Sequence, residues 1–194
     1  IYTAVNDNSL NDKFIMTYGG SWSDNEFYAK DYFEWEPGCT PLNKIIGTAD
    51  AVEYCGVYTG LSRVIPISVF NQTAYSIVAE TDHDNTLSFF SEKTAKPMIA
   101  RRLFVVFSGY KFLHNLRQQG FLTFGDVIDE SYDLEENMID RQRKIVENVM
   151  RWKGRQSEFM SIVRRIKWKL EHNHNHFMKL DMEKIIYDTL MPHA

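Results

Sequence analysis

The 194-residue chain has only two cysteines, Cys39 and Cys55, and they lack the Cys-x-x-Cys spacing of a metal knuckle or a redox pair. In a chain this long such a pair reads as two reduced core thiols more readily than as a disulfide. No apolar run reaches the roughly 18 to 20 residues that a membrane-spanning helix needs, and the first residues lack the basic-then-apolar pattern of a leader. A cytoplasmic location and no membrane partner are therefore expected. Excess basic charge is missing too. The 22 Lys and Arg against 26 Asp and Glu give a formal net charge of −4, which makes nucleic acid an unlikely partner. The Gly-x-Gly-x-x-Gly fingerprint of dinucleotide binding does not occur, so nothing points to a hydride-transfer cofactor. Internal repeats and low-complexity tracts are also missing.

What is present is enough for a packed core, since apolar residues make up 44% of the chain and aromatics 14%. The length suits one domain with additions and is short for two full domains side by side. The chain opens on Ile1, and a further segment upstream is expected. Residues 1 to 45 are punctuated by Gly19-Gly20, Pro37-Gly38 and Pro41, with one strand expected over Lys13 to Tyr18. Two more strands are expected at Ala51 to Tyr58 and Arg63 to Val69.

The middle of the chain has a clear order. Tyr75-Ser-Ile-Val-Ala-Glu80 reads as a buried strand ending in an acid, followed by a polar loop over Thr81 to Thr86. Ser91 is a plausible N-cap for a helix through Lys93 to Arg102, with Glu92 in the first turn where the dipole favours a carboxylate. Pro97 would kink that helix. Leu103-Phe-Val-Val-Phe107 then reads as a parallel strand covered on both faces, stopped by Ser108-Gly109. A helix over Tyr110 to Gln119 should end at Gly120, a suitable C′ residue. Strand, helix and strand with short links are the signature of a βαβ unit, whose ligands bind at the carboxyl ends of the strands. From Leu134 onward the pattern is helical. Ile145, Val149 and Trp152 form one stripe, and Phe159, Ile162, Val163, Ile166 and Leu170 form a second, with a break at Gly154. A last helix is expected from Asp181.

A nucleoside diphosphate asks a protein for a carboxylate to hold the ribose hydroxyls, a cation for the diphosphate, and helix N-terminal N–H groups. Glu92, Lys93 and the start of the helix could supply all three, although Glu-Lys pairs commonly do no more than start helices. The run Tyr75 to Glu80, then Phe89-Phe-Ser-Glu-Lys93, Lys96-Pro97 and Leu103 to Gly109 resembles the donor-binding core of GT-B glycosyltransferases. Within them it is similar to the fucosyltransferase-like families. Gly120-Phe-Leu-Thr-Phe124 and Asp129-Glu-Ser-Tyr-Asp133 look like an extension seen in virus-borne and marine relatives. The resemblance covers Tyr75 to Asp133. It implies that Glu92 binds the ribose, that Lys93 binds the diphosphate of a nucleoside diphosphate sugar, and that Glu80 holds the donor loop or the sugar. Thr81, Ser91, Lys96, Ser108 and Gly109 complete the expected substrate-binding set. Thr81 stands where the fucosyltransferase pattern has asparagine, so the identity of the sugar does not carry over.

The expected fold is thus α/β, with a mainly parallel Rossmann-like sheet over residues 1–133 and a C-terminal helical segment over 134–194. The expected activity is glycosyl transfer, or its donor-binding half. The alternative is a non-catalytic nucleotide-binding or protein-interaction module. A complete GT-B enzyme also has an acceptor domain, so a missing N-terminal domain or a partner chain is expected to supply it. No cofactor is required, because helix dipole and basic side chains can stabilise a leaving diphosphate.

Three polar clusters remain. The acidic stretch Asp126, Asp129, Glu130, Asp133, Glu135 and Glu136 could hold a divalent cation, but a solvated loop and an acid-rich helix start explain it more cheaply. His172 and His176 share a helix face and could ligate a metal. Two ligands fall short of the four of a structural zinc site, so no metal is expected and a polar helix end is the simpler reading. The basic run Arg164-Arg165-Lys167-Lys169 suits the solvent face of an amphipathic helix.

Overall fold

Leu103, Phe104, Val105 and Val106 are each no more than 3% exposed in the computed structural model, so the apolar run after Arg102 lies at the centre of the core. The structure describes residues 51–54, 57–60, 65, 70–71, 73–80, 85, 90–152 and 156–181. The strand expected at 13–18, almost all of that at 63–69, the loop 81–86 apart from Asn85, the break at Gly154 and the last helix beyond Asp181 lie outside them.

The stretch expected as one strand from Ala51 is two, β1 (Ala51–Tyr54) and β2 (Val57–Gly60), paired antiparallel. The central pair is β3 (Ser76–Ala79) and β4 (Phe104–Phe107), parallel, with Ser76 opposite Phe104 and Ala79 opposite Phe107. Ser76 N donates to Leu103 O and Glu80 N to Phe107 O, both at 3.0 Å, which extends the ladder at each end. Between these strands runs α1 (Glu92–Ile99). The chain is therefore α/β, with parallel strands joined through a helix, as the pattern of apolar runs and caps required.

Helix α1 starts where Ser91 caps it, its side chain accepting from Lys93 N at 3.1 Å. It stops three residues short of the expected Arg102, and not because of Pro97, which lies within it. Arg101 turns left-handed (φ 52°), its N–H donating to Met98 O while Arg102 N donates to Pro97 O at 2.8 Å. That is a Schellman closure built without glycine. A side chain in this conformation costs about 1 kcal/mol, so Arg101→Gly is expected to raise stability by about 0.5–1 kcal/mol. An unchanged or lower urea midpoint would count against it.

Helix α2 (Phe112–Gln118) closes in the same way on Gly120, as its sequence indicated. Gly120 has φ 89°, its N–H donates to Arg117 O, and Phe121 N reaches back to Leu116 O. A β-carbon there would stand 2.9 Å from the His176 ring, so the position needs glycine for space as well as for conformation. A short 3-10 turn (Glu130–Leu134) follows, then α3 (Met138–Trp152) and α4 (Gln156–Met178).

The stripe read on α4 is the face it buries, with Ile166 inaccessible, Leu170 buried, and Phe159, Ile162 and Val163 packed against the core. On α3 the stripe is buried in part: Ile145 is inaccessible and Trp152 packs against the core, Val149 is half-buried, and the other buried positions hold the polar Arg141 and Asn148. Trp152 stacks at a tilt on Tyr75, with ring centroids 5.6 Å apart, and lies edge-on to Phe159, which joins the start of β3 to both helices. Burial pushes the Tyr75 phenol up to about 12. Helix α4 packs along α1, and α3 packs on β4 and the 3-10 turn. Arg102 fastens the approach to β3. Its guanidinium donates to Phe70 O, to Thr73 O and Oγ1, and to Ser76 Oγ. Burial pulls it down to about 10, which leaves it charged at neutral pH. Among the described residues no helix is long and apolar enough to cross a membrane.

Candidate functional site

Because β3 and β4 are parallel, Glu80 and Ser108-Gly109 leave the sheet at the same edge, and α1 begins there. Glu80 is 5% exposed, and its carboxylate is taken up by the start of α1. Oε1 accepts from Ser91 N at 3.3 Å and from the Thr94 hydroxyl, and Oε2 accepts from the Ser91 hydroxyl. A strand-end acid thus occupies the place at a helix N-terminus where an anion is most favoured. Its buried charge is met by three donors, the condition under which burying a carboxylate is tolerable.

Glu92 and Lys93 point the other way. Their side chains are 40% and 41% exposed, and Lys93 Nζ stands 3.5 Å from Glu92 Oε1. Lys96, one turn on, is half-buried. Burial lowers its ammonium pKa, the Glu92 carboxylate opposes that shift, and the Lys93 charge adds to it. The three side chains therefore lie in one another's fields over two successive turns of α1. Ser108 and Gly109 are buried at the end of β4. Thr81 lies outside the described residues.

Asn85 ties this edge together. It accepts from Tyr110 N at 3.0 Å and donates to Glu136 O at 2.8 Å, so the connection after β3 is fastened to the loop after β4 and to the entry of α3. Sequence reasoning missed Asn85 and Thr94. Thr94 carried one usable signal, its position three residues after the cap.

The acidic stretch does not converge on one point. Asp126 pairs with Lys169 at 2.7 Å, Glu135 with Lys144 at 2.9 Å, and Asp129 with Arg151 at 3.1 Å. Asp129 also caps the 3-10 turn through Ser131 N, and the Ser131 hydroxyl first, then that N–H and Arg151, hold its carboxyl below the usual range. Glu130 accepts from Thr123 Oγ1 and Phe124 N and pairs with Arg117, while burial, the larger effect, raises its carboxyl. Asp133 caps α2 from twenty residues away, accepting from Leu113 N at 2.7 Å and His114 N at 3.0 Å. Among the described residues no group of three or more His, Cys, Asp or Glu could hold a metal ion. A cleft of about 390 Å³ between the turn Gly125 to Asp129 and the start of α4 lies away from α1, and Asp126, Asp129 and Arg165 on its wall all bond within the chain.

The chain matches no protein-family model, and neither the curated proteins nor the solved structures contain a significant match.

Proposed function

We propose that the chain is the donor-binding half of a glycosyltransferase, built on a Rossmann-like sheet of which β3, α1 and β4 form a βαβ unit, and that it binds a nucleoside diphosphate sugar at the start of α1. One observation carries this reading: a half-exposed carboxylate and a lysine on the first turn, with a second lysine one turn on, lie on a helix that begins at the carboxyl edge of a parallel strand pair. Glu92 offers acceptors to ribose hydroxyls, and Lys93 and Lys96 offer charge to the diphosphate. The position of Glu80 narrows the geometry. Its carboxylate already fills the inner side of the helix start, where a diphosphate would meet a like charge, and this favours an outer position for the donor, beside Lys93.

Calorimetric titration with ADP, GDP, UDP and CDP tests the proposal. Saturable binding of at least one is expected, weakened about 10–100-fold in Lys93→Ala and Glu92→Ala, the loss due to one charge-assisted hydrogen bond of about 1.5–3 kcal/mol. No binding to any of the four, or wild-type affinity in both variants, would overturn it.

A second reading, an interaction module, has an observation of its own. Leu134, Met138 and Ile139 are 64%, 42% and 70% exposed within six residues, next to the segment held by Asn85. A failed nucleotide titration would favour it.

A further inference from the structure

The polar end of α4 is occupied with the ends of two other helices. His172 Nε2 lies 2.9 Å from Gly120 O, His176 Nε2 lies 2.7 Å from Gln119 O, and His174 Nδ1 lies 2.7 Å from Ile99 O. Between them Asn173 is fully engaged with Leu122, donating from Nδ2 to its carbonyl and accepting its N–H, both at 2.8 Å. A carbonyl can only accept, so each ring nitrogen named here carries the hydrogen. His172 and His176, one turn apart with rings 5.8 Å apart and nearly parallel, serve the end of α2, and His174 on the opposite side serves the end of α1.

The carbonyls of α1 show why this matters. A helix leaves its last carbonyls without partners of its own. Lys96 O closes the last regular bond of α1, taking Ala100 N. Beyond it Pro97 O takes Arg102 N and Met98 O takes Arg101 N, and Ile99 O takes His174. An eight-residue helix containing proline does not hold itself together in water, so its position is set by its packing on α4 and the core, through Met98 above all, and by what holds its two ends. Glu80 is the clamp at the start and His174 the clamp at the finish.

We infer that His174 is a positioning residue for the Ser91-Glu92-Lys93 end of α1, holding it through the Ile99 carbonyl about 10 Å away along the helix axis. It touches no ligand itself. The consequence for nucleotide binding rests on the donor-site reading above, whereas the clamp does not.

The test uses the geometry of the donor. Asparagine presents an N–H at the level of Nδ1, and glutamine presents one at the level of Nε2. Hydrogen exchange is followed at Ala95 and Ala100, whose amides bond Ser91 O and Lys96 O within α1. The variants are His174→Ala, His174→Asn and His174→Gln. Exchange at Ala95, at the far end, is expected to quicken about tenfold in His174→Ala and His174→Gln and to return near the wild-type rate in His174→Asn, the change that one hydrogen bond produces. Binding of whichever of ADP, GDP, UDP and CDP the wild type takes is expected to weaken in the same order. An Ala95 rate unchanged in His174→Ala, or asparagine and glutamine restoring it equally, would overturn the inference. The expected exchange pattern in a protein that binds none of the four would uphold the clamp and sink the donor site instead.

Discussion

Asp133→Ala is expected to destabilise the protein by about 3 kcal/mol, which for a chain of this length lowers Tm by about 6–12 °C. The carboxylate is buried and accepts the N–H groups of Leu113 and His114, the second and third residues of α2. Lys111, at the capping position itself, is left-handed and its side chain makes no capping bond. Asp133 is thus the cap, supplied from the far end of a loop. Alanine would leave the Leu113 donor facing the core and the donor of the exposed His114 without its cap, at a cost of about 1–3 kcal/mol for the first and about 1 kcal/mol for the second. Lys111 N also donates to Asp133 O, a backbone bond that survives the substitution and keeps the estimate below the upper end of that sum. Arg117, 3.6 Å away but 42% exposed, adds little through solvent. Asp133→Asn keeps one acceptor and is expected to lose about half as much. Urea unfolding with an unchanged m-value checks this, and a loss below about 1 kcal/mol for alanine would show that Asp133 is not the cap.

Glu80→Ala should cost a similar amount, about 3 kcal/mol, because it strands Ser91 N and the hydroxyls of Ser91 and Thr94 at the start of α1. Glu80→Gln separates this role from one in holding a sugar. A glutamine keeps the carbonyl acceptor but turns an N–H toward one of the hydroxyls, so stability should fall by about 1–2 kcal/mol. If Glu80 acted on the donor alone, Glu80→Gln would weaken nucleotide binding and leave the unfolding midpoint where it was. A double-mutant cycle with Thr94→Val sharpens the point. Shared hydrogen bonds predict losses for the pair that fall short of the sum of the single variants, by at least about 0.5 kcal/mol. Strict additivity would detach Thr94 from Glu80.

Much of the frame was legible because it rests on local regularities. Of the five consecutive apolar residues after Arg102, the last four form the parallel strand β4, buried on both faces as far as Val106. Ser91 before Glu92, and glycine at position 120, are signals of helix start and stop that act within a few residues, and both do what their positions indicate. The stripe at three- and four-residue spacing on α4 became its buried face and that on α3 a part of its own, beside the buried Arg141 and Asn148, since a helix repeats every 3.6 residues whatever it packs on. The stop of α1 at Ile99 was not legible, because Arg101 takes the left-handed conformation that a sequence reading reserves for glycine.

Local pattern is enough for the order of strand, helix and strand, for the cap at Ser91 and for the apolar stripe of α4. What the chemically suggestive side chains do depends on the folded chain. Glu80 serves Ser91 and Thr94, eleven and fourteen residues on, Asp133 serves α2 from twenty residues away, and His174 serves Ile99 from seventy-five. The reason is physical. Helical and strand periodicity arises from neighbours in the chain and leaves a repeat that can be read. A side chain that meets the orphan N–H or C=O groups of a distant helix end obeys no repeat, and its partner exists only once the chain has brought the two ends together.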